Sequence, residues 1–153
     1  MRMFRVLTVL IVVALAAPIA AAQRKTTPPQ APAAAPAPEN VLPPGNIQHG
    51  QYLVERVAMC VECHSGRDES GRIIERDKYL GGNIPFMPPW PNDWASRAPR
   101  NRGLVGYDDK MALRLLTEGS IGREGRQLKS PMPHFFMTRQ DAADVIAFLR
   151  SLH

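Results

Sequence analysis

The feature that most constrains this chain is the run Cys60-Val61-Glu62-Cys63-His64. Two thiols three positions apart, followed at once by an imidazole, suit few structures. A thioredoxin-like dithiol wants a strand before the motif and a helix after it. Here a helical pattern precedes the motif, and Gly66 and Gly71 soon follow it. A structural zinc site wants two further Cys or His at ligand spacing. The chain has only 2 Cys, and His49, His134 and His153 are scattered. A disulfide across two intervening residues is strained. The remaining reading is C-x-x-C-H, the attachment pattern of a c-type haem. On one helical turn each thiol reaches one vinyl group of a porphyrin, and the adjacent His turns its ring to the iron.

The rest of the chain divides around that motif. Arg2 and Arg5 precede an uncharged apolar run over 6–17, which ends in Ala20, Ala21 and Ala22. This is the plan of a secretory signal peptide, expected to cover 1–22 with cleavage after Ala22. The run is short of the roughly 20 apolar residues that span a bilayer, and only an uncleaved leader would tether the chain to a membrane. Either outcome puts the remainder outside the cytoplasm, in the periplasm, where c-type haem is attached. Residues 23–45 hold seven of the 15 prolines, alternating with Ala, and read as an extended Ala/Pro-rich linker without a core. The folded domain is then 46–153. A net charge of +5, from 19 Lys and Arg against 14 Asp and Glu, is too small and too dispersed to argue for nucleic acid.

Within 46–153 the fold class expected is all-α. Asn46 caps a first helix to about Met59, burying Leu53, Val54, Val57 and Ala58, with 60–64 as its last turn. Asp108 caps a second over 109–118, burying Ala112, Leu115 and Leu116, and Gly119 ends it. Thr138 and Asp141 resemble a capping box opening a third over 139–152, which buries Ala142, Val145, Ile146, Leu149 and Leu152. Between the first two lies a long irregular loop, 65–107, rich in Gly and Pro, with no convincing strand.

The second axial ligand decides the function. Iron held by His and Met is closed and shuttles electrons, whereas iron with an open position binds or activates small molecules. Of the five Met beyond residue 45, Met59 adjoins the motif, Met111 lies in the second helix, and Met137 sits where a hydrophobic staple belongs. Met87 lies in a Pro-rich loop. Met132, between Pro131 and Pro133, sits on backbone too stiff for a helix and is the candidate ligand; His134 is its non-Met rival. Trp90 and Trp94 either wall the haem pocket or donate to a propionate. Arg97, Arg100 and Arg102 either meet propionates, form a docking patch or are solvated.

These residues carry a resemblance. The first helix ending in CVECH, the segment 125–133 (GRQLKSPMP) and the closing FLRSL at 148–152 resemble a class I cytochrome c over roughly residues 50–152. The closer likeness is to periplasmic monohaem cytochromes and to cytochrome domains attached to quinoprotein or flavin dehydrogenases. The resemblance implies about three main helices around one covalent haem c, held by Cys60 and Cys63, with His64 proximal and Met132 distal. It also implies that the first and last helices cross, Phe148 packing near Gly50 or Leu53, and that a loop carbonyl fixes His64. The implied role is one-electron transfer, not catalysis, with a dehydrogenase, oxidase or bc1-type complex as partner. A dedicated subunit of a dehydrogenase or sulfur-oxidising complex would use the same haem chemistry. Dehydrogenase subunits of the family often carry three such motifs, where this chain carries one. The alternative is an open haem that binds NO or CO or reduces peroxide, which would require a distal acid–base group such as His134.

Overall fold

The structure, a computed structural model, describes residues 41–152. The leader expected at 1–22, and the linker as far as residue 40, lie outside the described residues. Helix α1 spans Ile47–Tyr52 and begins where expected. The Asn46 side chain accepts the His49 N–H at 3.1 Å, satisfying one of the donors that a helix start leaves bare.

The first helix does not run on to Cys60 as the periodicity implied. After Tyr52 it widens into a π turn, Leu53–Val57, and the Ala58 N–H reaches back five residues to the Leu53 carbonyl at 2.7 Å. Met59 then takes a left-handed conformation with φ 49. A separate single turn, α2, spans Cys60–Cys63. The wider turn rotates the residues after it off the 3.6-residue face. Val54 is fully buried, whereas Val57, expected in the core, is 56% exposed.

Two later helices keep closely to the sequence pattern. Helix α3, Asp109–Thr117, starts at Asp108, whose carboxylate accepts the Met111 N–H at 2.7 Å. It buries Ala112, Leu115 and Leu116, and Leu113 as well. Helix α4, Arg139–Ser151, opens at Thr138, whose Oγ1 accepts the Asp141 N–H at 3.1 Å and donates to the Asp141 carboxylate at 2.8 Å. Four described helices therefore stand where three were expected, because the first is split. The long loop holds two 3-10 turns, Glu75–Asp77 and Arg102–Leu104. It also holds an antiparallel pair, β1 Gly82–Asn83 and β2 Arg97–Ala98, in the register Gly82↔Ala98. Strands of two residues are too short to show an alternation. No helix among the described residues is long and apolar enough to cross a membrane.

Helices α1 and α4 meet backbone to backbone. A Cβ on Gly50 would lie 1.9 Å from the Asp144 carbonyl oxygen and 2.9 Å from the Phe148 Cβ, so the expected Gly50–Phe148 contact is present. Asp144, only 3% exposed, pins the crossing. Its carboxylate accepts the Asn46 N–H at 2.7 Å and the Gln140 amide at 2.9 Å, and lies 2.7 Å from His49 Nδ1. On the far side of the crossing, buried Tyr79 packs edge-on against Phe148 with centroids 6.0 Å apart, and its hydroxyl donates to Glu55 at 3.3 Å. Burial, and then the neighbouring Glu55, hold that phenol above its ordinary pKa.

The crossing can be tested through either partner. Gly50→Ala forces the two helix backbones apart and should cost about 3 kcal/mol, read as a lowered midpoint in denaturant titration of the holoprotein. Burial raises the Asp144 carboxyl, but its bonds to Asn46, His49 and Gln140 outweigh this and hold it below the ordinary carboxylate value. Its contribution is therefore complete above the unfolded value of about 4 and is lost as pH falls through the depressed folded value. In acid titrations wild type and Asp144→Asn should accordingly keep their full difference in stability above about pH 4 and converge as pH falls below it.

Candidate functional site

The cavity opens beside α2 and is floored by α3 and α4. Its volume is about 640 Å³, and Cys60, Cys63, His64 and Met132 all line it. Leu115 and Leu116 of α3, Val145 and Leu149 of α4, and Leu104, Leu128 and Phe135 from the loops make its apolar wall. Such a lining excludes water and suits a large flat apolar group.

Each site residue is placed by a local device. The left-handed turn at Met59 lets α2 start afresh, so Cys60 and Cys63 stand on one turn that closes with the His64 N–H on the Cys60 carbonyl at 3.0 Å. The two sulfurs form no disulfide with each other. Burial pushes the Cys60 thiol up to about 11. Burial also raises Cys63, against the opposing charge of Arg67.

His64 is 9% exposed. Its Nδ1 lies 2.7 Å from the Pro99 carbonyl oxygen. A carbonyl only accepts, so Nδ1 carries the proton and Nε2 keeps its lone pair. Burial lowers the imidazole pKa, with the Pro99 bond partly opposing, and the ring is neutral at physiological pH. The carbonyl that the sequence left unnamed is thus that of Pro99.

The methionines separate cleanly. Met132 lines the cavity, as does Met59, but Met59 is 52% exposed and adjoins Cys60 on the motif itself. Met87 is 49% exposed, and neither it nor Met111 reaches the cavity; Met137 packs against the core. His134 is exposed, lies outside the cavity and has its Nε2 3.0 Å from the Gln127 amide nitrogen. The Met132 segment is tied down on both flanks. The Ser130 carbonyl accepts the Ala95 N–H at 2.8 Å. The hydroxyl of fully buried Ser120 donates to the Pro133 carbonyl and accepts the Phe135 N–H at 3.3 Å.

Two expectations need correction. Neither Trp lines the cavity: Trp90 is 65% exposed, and Trp94 packs edge-on against Phe86 with centroids 6.2 Å apart. The loop 84–96 reaches the cavity through Ile84, Pro85, Phe86 and Ala95 instead, and both Trp lie between those wall residues. Of the three arginines, Arg97 and Arg100 line the cavity, while Arg102 turns away and donates to the Lys78 carbonyl at 2.9 Å. Sequence reasoning missed Ser120. It takes φ 63 immediately after Gly119 at φ 84, and nothing in its composition signals a buried tie. Elsewhere, His49, Asp141 and Asp144 bring ligand-type atoms within 4.8 Å of one another, but Asp144 is already engaged at the α1–α4 crossing.

The sequence profile of the cytochrome c family matches residues 47–153, and the chain belongs to that family. No curated protein matches the chain. The fold is the all-α cytochrome c fold, its cofactor is covalently bound haem c, and its activity is haem-based electron transfer with redox partners. The residues present fit the group: paired thiols on one turn, a neutral imidazole whose Nε2 keeps its lone pair, and a mainly apolar wall.

Removing the hydroxyl of buried Ser120 leaves the Pro133 carbonyl without its donor. Ser120→Ala should destabilise the holoprotein by about 1–2 kcal/mol, measured by denaturant titration.

Proposed function

We propose that this protein is an exported, periplasmic one-electron carrier whose single haem c is ligated by His64 and Met132. The observation that carries the reading is that two thiols, one neutral imidazole and one thioether open on the same apolar cavity. The group, when bound, supplies a reversible one-electron couple. The chain does the rest. Cys60 and Cys63 hold the group through their sulfurs, so it stays even while an axial ligand exchanges. His64 offers Nε2 from one fixed tautomer, because Pro99 accepts its other proton. Met132 offers a soft sulfur from a segment held between Ala95 and Ser120, and thioether ligation raises the potential. The leucines, Val145 and Phe135 keep water out, so little reorganisation accompanies a change of charge.

Export rests on the leader pattern at 1–22, and on the attachment of c-type haem outside the cytoplasm. The partner proposed is a dehydrogenase or respiratory complex, from the resemblance of residues 125–133 and 148–152 to cytochrome domains of such enzymes. The open-haem alternative gains no support: His134, its distal acid–base candidate, lies outside the cavity.

The oxidised holoprotein should show the weak near-infrared band of sulfur-to-iron charge transfer. Met132→Ala should abolish that band and let the reduced protein bind CO. A wild type without the band that binds CO readily would overturn the reading in favour of an open haem.

A further inference from the structure

His64 is held twice over. Its backbone carbonyl accepts the Gly81 N–H at 2.9 Å, and its Nδ1–H donates to Pro99 at 2.7 Å. The two holds come from adjacent stretches of chain, since Gly82 pairs with Ala98 across β1 and β2. Three backbone segments, 64–65, 81–82 and 98–100, therefore lie side by side, and the middle one carries no side chain. A Cβ on Gly82 would sit 2.0 Å from the Ser65 carbonyl oxygen. A Cβ on Gly81 would sit 2.8 Å from the Ala98 oxygen, 2.9 Å from the Arg100 nitrogen and 2.9 Å from the Pro99 carbonyl carbon. All of these are backbone atoms, so no rotamer change relieves the contact; the segment bearing the Pro99 carbonyl must move. Gly81 also has φ +88, a conformation glycine alone adopts freely.

We infer that Gly81 is a positioning residue for His64. Its missing side chain lets residues 98–100 close to the distance at which Pro99 holds the Nδ1 proton, and that bond sets how strongly Nε2 donates. The inference rests on the reading of His64 as axial ligand. An acceptor on the far nitrogen makes an imidazole more basic and favours the oxidised metal, so loosening it raises the reduction potential.

The test compares the holoproteins of wild type, Gly81→Ala and Gly71→Ala. Gly71 has a similar φ, +81, but a Cβ there meets nothing within 4 Å, so this control carries the backbone strain without the contact. Two quantities are read: the potential by redox titration, and solvent exchange of the His64 Nδ1 proton by NMR. In Gly81→Ala the potential should rise and the proton exchange about tenfold faster, with the near-infrared band retained. Gly71→Ala should match wild type in both. If Gly81→Ala yields no holoprotein, Pro99→Gly, which adds no bulk and frees the carbonyl's backbone, should give the same two shifts. A folded variant with wild-type potential and exchange overturns the inference, as do equal shifts in Gly71→Ala. A wild type lacking the band is a separate failure: it removes His64–Met132 ligation and the inference with it.

Discussion

The contact of Gly50 with the Asp144 carbonyl sets the crossing of α1 and α4, and the rest of the domain is arranged around it. It leaves no room for a side chain, so α1 and α4 cross at backbone distance. A buried carboxylate would ordinarily resist such a position, but Asp144 meets donors from Asn46 and Gln140 and the ring of His49. The crossing has two consequences. It fixes where the chain leaves α1 for the π turn and hence where Cys60 begins. It also frees another face of α4, carrying Val145 and Leu149, to form the cavity wall.

Around that frame the cavity is completed by irregular chain, ordered mainly by backbone bonds. The stretch 65–107 would be entropically expensive to fix if nothing held it. Tyr79 shows how it is held. Its N–H donates to Ser65 Oγ at 3.2 Å, and its carbonyl accepts from Asn101 and Arg102 at 3.1 and 3.0 Å. The ring is buried against Phe148. One residue thus ties the loop to the segment after the motif, to the segment after Pro99 and to α4. Ala95 and Ser120 do the same for the methionine segment. His64 and Met132 both lie outside the regular elements, and bonds from other stretches of chain hold them in place.

This division suits an electron carrier. Transfer without bond chemistry needs a site that changes charge while its surroundings hardly move. An apolar wall and a fixed tautomer meet that need. Arg97 and Arg100 put positive charge on the lining of the cavity.

The sequence alone determined the chemistry and the regular helices. The spacing of Cys60, Cys63 and His64 specifies covalent haem because three reacting groups must fit one turn. The caps at Asn46, Asp108 and Thr138 stand where the local donors require them. The prolines flanking Met132 marked an extended segment, and the structure brings that segment to the cavity. Tertiary structure decided everything that depends on distant chain. No local pattern shows that the first helix widens after Tyr52, because a π turn answers to packing rather than propensity. None names Pro99 as the partner of His64, since 35 residues separate them and any carbonyl in the loop is chemically equivalent until β1 and β2 pair. None places Ser120 beneath Pro133 or turns Trp90 outward. Motif chemistry is local and legible in residue order; the orientation of a ligand is set by backbone groups that every residue shares, and only folding selects among them.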